Sequence, residues 1–180
     1  MKWMIASDLH GSAEFCEKML ARYAAEGADR LLFLGDLLYH GPRNDLPAGY
    51  APKRVAELLR PMAPVLLCVR GNCDAEVDQM VVNFPIMAEY TVLPLGGRIL
   101  FATHGHHYSE DSPPPLQKGD LLLCGHTHIP AFADHGDFLY ANPGSVSIPK
   151  NGSPHSYMTM EDGRLIWKDL DGQVFMERTL

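Results

Sequence analysis

No apolar run in this sequence approaches the roughly 18 residues that a membrane span requires, which excludes a helical integral membrane protein. Cysteine is scarce: Cys16, Cys68, Cys73 and Cys124 are scattered and form no CxxC pair. That argues against a thiolate zinc site and against a disulfide framework, and leaves reduced thiols that are mostly core. Basic residues are also few, 15 Lys+Arg against 22 Asp+Glu, for a formal net charge of −7. Without a basic cluster, general binding to a nucleic-acid backbone is not expected. There is no internal repeat, low-complexity tract or linker. The opening MKWMIASDLHG turns polar after six residues, so no signal peptide is expected and the reading is cytoplasmic.

What is present is ordinary globular composition, 46% hydrophobic and 21% charged over 180 residues, enough for one domain spanning 1–180. Short apolar runs alternate with helical spacing in the first half. Residues 3–6 read as a buried strand, and a helix follows from Ser12 through Cys16, Met19, Leu20 and Tyr23 to a stop at Gly27. A second strand at 31–34, a helix opened by Pro52 and a third strand at 65–69 complete a strand–helix–strand–helix–strand pattern. After residue 90 the pattern changes to hairpins and turns. Residues 109–119, with Pro113-Pro114-Pro115, read as an exposed loop.

Five strands end alike, with Asp, Asn or His beside a glycine: Asp8-Leu9-His10-Gly11, Gly35-Asp36, Gly71-Asn72, His104-Gly105-His106 and Gly125-His126-Thr127-His128. Strand ends of an open sheet are where ligands bind, so these termini could converge on one crevice. In Asp8-x-His10 and His126-x-His128, extended backbone would project both side chains to one side. A lone pair of this kind is usually surface or core polarity, but five at the ends of apolar strands point to a site. Carboxylate, amide and imidazole donors without thiolate suit Mn²⁺, Fe²⁺ or Zn²⁺. Seven such groups are too many for one ion and right for two. A bridging carboxylate between them would give the two-metal arrangement used for in-line phosphoryl displacement.

These residues resemble the calcineurin-like metallophosphoesterases. Together with His40-Gly41-Pro42-Arg43-Asn44, Arg70-Gly71-Asn72-Cys73-Asp74 and Asn142-Pro143-Gly144-Ser145, they resemble the small bacterial YfcE-type phosphodiesterases over essentially the whole length. The resemblance implies a four-layer αββα sandwich with mixed sheets and a dinuclear metal site at the strand ends. It implies one metal on Asp8, His10, Asp36 and His128, and another on Asp36, Asn72, His104 and His126, with Asp36 bridging. Mn²⁺ would lead, with Fe²⁺, Zn²⁺, Co²⁺ or Ni²⁺ as alternatives. The implied reaction is hydrolysis of a small phosphodiester by in-line attack of a metal-bridging hydroxide, with Asp8, Asp36 and Asn72 catalytic.

In much of that superfamily a histidine follows the Asn and resembles a general acid, whereas this chain has Cys73. The thiol either lines the pocket, donates a proton weakly or acts as a redox-sensitive group. Asn72, Arg43 and His40 are candidate substrate-binding residues, the guanidinium being suited to a phosphate oxygen pair. His106 and His107 either back the ligand His104 or are plain loop residues, and His135 and His155 read as surface. The stretch 80–87 (Met80, Val81, Val82, Phe84) reads as core or interface packing, and a homo-oligomer is expected. A phosphomonoesterase, a nucleotide-pyrophosphate hydrolase, and a protein-binding scaffold like the fold-sharing retromer subunit are the alternatives. For the scaffold, a damaged ligand set would be the mark.

Overall fold

The computed structural model describes residues 1–180. Strands β1 (Trp3–Ala6), β2 (Arg30–Phe33) and β3 (Leu66–Cys68) are joined by helices α1 (Ala13–Glu26) and α2 (Pro52–Leu59). The helix ends follow from the sequence. Ser12 caps α1 by accepting from Phe15 N, and Gly27 closes it in the left-handed conformation at φ 60°. Pro52 opens α2, where its missing N–H costs nothing. A four-residue helix, α3 (Glu76–Gln79), follows β3.

The rest is almost all strand: β4 (Tyr90–Leu95), β5 (Arg98–Thr103), β6 (Leu121–Leu123), β7 (Pro130–Asp134), β8 (Leu139–Pro143), β9 (Ser156–Glu161), β10 (Arg164–Asp169) and β11 (Val174–Thr179). One sheet has the order β11-β10-β9-β1-β2-β3, the other β4-β5-β6-β8-β7. Both are mixed. β1, β2 and β3 run parallel while β9 to β11 are antiparallel, and β5, β6 and β8 run parallel between two antiparallel edges. No helix is long and apolar enough to cross a membrane.

Side-chain alternation builds the layers. Met4, Ala6, Leu31 and Phe33 point to the helices and join Cys16, Met19, Val55 and Leu59 in one core. Ile5, Leu32 and Leu34 point the other way, against Leu100, Ala102, Leu121, Leu123 and Trp167 between the sheets. The outer face of the second sheet carries Phe101, Leu122, Cys124, Phe138 and Tyr140, with Leu116 packed against them. Tyr108 also meets Phe101 edge-on at 5.5 Å. The fourth layer of the sandwich is thus the 105–119 segment, whose consecutive prolines cannot sustain a helix. Of the stretch 80–87, Val82, Phe84 and Ile86 are core, whereas Met80 (83% exposed) and Val81 face outward.

Candidate metal centre

Parallel strands of both sheets end on the same side of the sandwich, and the residues that follow them meet there. Asp8 and His10 follow β1, Asp36 follows β2, Asn72 follows β3, His104 follows β5, and His126 and His128 follow β6. The loops are stitched together. Asp8 N donates to Gly35 O (3.1 Å), His10 N to Asp36 O (2.9 Å) and Gly125 N to His104 O (2.8 Å). Ser145 and Ser147 hydroxyls both donate to Asp8 O, at 2.8 and 3.0 Å.

One expectation fails in detail. Asp8, His10, Asp36, His126 and His128 are not extended but left-handed, with φ of 58°, 49°, 58°, 66° and 62°. The i, i+2 pairs therefore converge through tight turns and not through strand alternation. Asp and His tolerate this region better than most residues, but five such residues at one place mark a strained, closely determined site.

Two glycines make the closeness possible. A Cβ on Gly71 would overlap the Asp36 carboxylate, and one on Gly125 would overlap Ser7 Oγ.

Three overlapping groups of donors result, one of which brings the Cys73 thiol to His10 and Asp36. Asp8, His10 and His128 bring their ligand atoms together, and so do Asp8, Asp36 and His104. Asp36 Oδ2 lies 3.6 Å from His10 Nε2 and 3.4 Å from His104 Nε2, so one oxygen faces both histidines. Asp8 Oδ1 lies 3.2 Å from His128 Nε2 and 3.6 Å from His10 Nε2. His104 Nε2 is 3.1 Å from Asn72 Oδ1 and 3.2 Å from His126 Nδ1. Donors bound at about 2.1 Å to one tetrahedral ion stand about 3.4 Å apart, close to these spacings.

The imidazoles are oriented from behind. Nδ1 of His10 faces Tyr39 O at 2.9 Å, that of His104 faces Leu34 O at 2.6 Å, and that of His128 faces Ile148 O at 2.7 Å. Each Nδ1 therefore carries the proton and donates it to a carbonyl, which turns the Nε2 lone pair toward the centre. Lone pairs aimed at one another would repel, as at the 3.4 Å His10–His128 Nε2 contact, unless a proton or a cation stands between them. Asp8 Oδ1 is buried with no hydrogen-bond partner. This donor set fits divalent cations.

Charge follows the same pattern. Burial works against ionising Asp8 and Asp36, but the neighbouring histidines hold Asp8 well below the usual carboxylate range and Asp36 below it. Burial also opposes a charge on His104, yet Asp36 and Asp8 lift it to about 9. The His106 ring stands edge-on to His104 with its centroid 5.4 Å away, and burial and the flanking histidines push it down to about 4. His107 reaches Glu89 at 3.6 Å, but that carboxylate also meets Arg70 at 3.3 Å. Cys73 is half-buried beside Asn72 Nδ2 (3.2 Å), and burial and the Asp36 carboxylate push its thiol up to about 12.

A cleft of about 520 Å³ opens onto Asp36, Asn72, Cys73, His126 and His128, with Arg43, Asn44, Thr127 and Lys150 on its walls. His40 is not brought there. Its ring packs edge-on against Tyr39 and Tyr50, whereas the chain turns at Gly41 (φ 80°) and residues 41–44 line the cleft in its place. His135 is exposed beside Glu110, whereas His155 is half-buried and stacked on Phe15 with centroids 4.0 Å apart, not a surface residue. An apolar hollow of about 610 Å³ at the opposite ends of β1 and β5 holds none of the candidate residues.

Sequence reasoning passed over Asp74. Its buried carboxylate accepts from Asp36 N (2.8 Å), Leu37 N (2.8 Å) and Gly71 N (2.7 Å), clamping two ligand loops together. Burial raises its pKa despite these donors. The acid at the end of Arg70-Gly71-Asn72-Cys73-Asp74 was its only signal.

The model of the calcineurin-like phosphoesterase superfamily domain matches residues 1–162. The chain is 49% identical over 162 residues to the phosphodiesterase YfcE of Escherichia coli strain K12, covering 90% of this chain and 88% of that one. A solved structure of that E. coli phosphoesterase superposes with a TM-score of 0.96 at 46% identity, covering 99% of each chain. Vps29 of Entamoeba histolytica, solved in complex with Zn²⁺, shares the fold at a TM-score of 0.65 and 20% identity, covering 99% of each chain.

Proposed function

The chain belongs to the calcineurin-like phosphoesterase superfamily, and on that premise we propose that it is a phosphodiesterase using two divalent cations, Mn²⁺ first among them. The observation that carries this reading is Asp36 Oδ2, which faces His10 on one side and His104 on the other. Asp8, His10, Asp36 and His128 would hold one cation, and Asp36, Asn72, His104 and His126 the other. Bound there, such a pair supplies an acidified water and neutralises charge on the phosphoryl oxygens.

The chain's own groups do the rest. Asp36 divides its oxygens, Oδ1 accepting from Cys73 N at 2.8 Å and Oδ2 facing the centre. Arg43, on the cleft wall, has a fork of donors for the oxygens of the scissile phosphate. Asn72 lines the cleft, with Oδ1 toward His104 and Nδ2 toward Cys73. No imidazole occupies the position of Cys73 to protonate a departing alkoxide, which favours diesters over monoesters with poor leaving groups. The intact donor set also supports catalysis over a purely scaffolding role.

Two further parts of the reading rest on the thiols and on the exposed apolar residues. Four free thiols suit a reducing cytoplasm. The outward Val77, Met80 and Val81 suit self-association.

The test is chelation. Protein stripped with EDTA should lose hydrolysis of bis(p-nitrophenyl) phosphate and regain it with Mn²⁺. Full turnover by demonstrably metal-free protein would overturn the proposal.

A further inference from the structure

Lys150 and Arg43 line the cleft, and neither is among the lysines and arginines that form ion pairs. In a chain of net charge −7, the only carboxylate on the cleft's lining is Asp36, which belongs to the metal centre. Arg43 has the scissile phosphate to meet. Lys150 has no assigned task.

Its placement is built. Lys150 N donates to His128 O at 3.2 Å, tying the lysine's backbone to a candidate ligand. Ser153 then donates twice to Lys150 O, from N at 3.0 Å and from Oγ at 2.7 Å. Between them, Asn151 and Gly152 have φ of 55° and 72°, so residues 150–153 form a tight turn with positive φ at both central positions. Asn-Gly is the pair that such a turn demands. This accounts for the Asn151-Gly152-Ser153 sequence as a device that fixes Lys150 beside the centre. The same lining contains no Phe, Tyr or Trp, so it offers no platform on which a base could stack. Nor does it offer an apolar wall for an acyl chain.

We propose that Lys150 is a specificity residue that receives a second anionic group carried on one ester arm, an inference that rests on the phosphodiesterase reading above. The substrate class is then small, hydrophilic phosphodiesters whose arm bears a carboxylate or a further phosphate. Dinucleotides and phospholipids fall outside it.

The test uses the metal-loaded protein and three diesters that share a p-nitrophenyl leaving group. Their second arms end in a carboxylate, a phosphate or a neutral carboxamide of matched length. Because the leaving group is constant, the ratio of kcat/KM between charged and neutral arms reads recognition of the arm alone. The wild type should prefer a charged arm by about two- to fivefold, the range of an exposed ion pair. The carboxylate and phosphate arms tell which anion is meant. Lys150→Ala should bring the ratio close to one, and Lys150→Arg should restore most of it. No preference in the wild type, or an equal loss on all three diesters in Lys150→Ala, would overturn the inference.

Equilibrium dialysis of the corresponding product monoesters gives the same ordering without turnover. Tighter binding of the charged monoesters with no hydrolysis of any diester would keep the Lys150 assignment and remove the proposed reaction. Hydrolysis without arm preference would do the reverse.

Discussion

Asp36 stands between two imidazoles and divides its oxygens, one fixed by Cys73 N and one facing the centre. Asp36→Asn keeps the shape but removes the charge that would hold both cations, whereas Asn72→Ala removes one neutral donor from one of them. Replacing even groups behind the ligands typically costs 10–100-fold, so Asn72→Ala should cost about that much and Asp36→Asn at least about 10³-fold in kcat/KM. Parallel metal analysis should find less than a full complement in Asp36→Asn. Equal losses in the two variants would remove the bridging role. Cys73 calls for the opposite expectation. A p-nitrophenolate departs without a proton donor, so Cys73→Ala should leave aryl-diester turnover within a few-fold. Collapse of that turnover with metals still bound would make the thiol catalytic. Residues of this kind were legible because polar atoms at the ends of apolar strands stand out. Asp74 and Lys150 were not, because one acts through backbone N–H groups and the other through a turn, and neither leaves a mark in residue type alone.

At the scale of elements, α1 ends on an electrostatic knot. Glu26 sits at a helix C-terminus, where the dipole disfavours a negative charge. It is held by Lys2 Nζ at 2.8 Å and Lys168 Nζ at 2.7 Å, and it accepts from Tyr157 OH at 2.7 Å. The contacts tie α1 to the chain before β1, to β10 and to β9. Burial opposes its charge, but the two lysines and the tyrosine bring its pKa down to about 2. The folded pKa lies below the unfolded one, near 4.3, so the stabilisation is complete above that value and fades as pH falls toward 2. Glu26→Gln should therefore cost about 2 kcal/mol in urea titrations at pH 7, and progressively less between pH 4.5 and 2. A difference that does not change with pH would mean that packing, not charge, matters there. Strands β1 to β3 and helices α1 and α2 were readable from period and caps, down to Ser12, Gly27 and Pro52, whereas the four-residue α3 was not. The convergence of Asp8 with His10, and of His126 with His128, was not, because left-handed turns leave the same i, i+2 spacing as an extended strand. Nor was the pairing of β5, β6 and β8 into a parallel set, which only long-range register decides.

For the whole molecule, the candidate metal centre joins loops from both sheets, so occupancy should be felt as global stability. Asp8 and Asp36 follow strands of the first sheet, and His104, His126 and His128 follow strands of the second. Unfolding separates them and destroys any bound-ion geometry. A ligand that binds only the folded state stabilises it by about 2.7 kcal/mol at a hundredfold excess over Kd. In a chain of this length each kcal/mol is worth about 2–4 °C, so saturating Mn²⁺ should raise the Tm of EDTA-stripped protein by about 5–10 °C. The charge relieved is local, because the close His10–His128 and His104–His126 contacts exchange mutual repulsion for a shared cation. Raising ionic strength with NaCl should therefore not reproduce the shift, since mobile ions screen exposed charges and reach buried ones far less. Asp36→Asn, which disturbs both donor groups, should lose most of it, whereas Lys150→Ala should retain it because the lysine is not among the candidate ligands. A wild-type Tm that ignores Mn²⁺ in calorimetry would show that these donors do not hold an ion across the two sheets, whatever the enzyme does with its substrate.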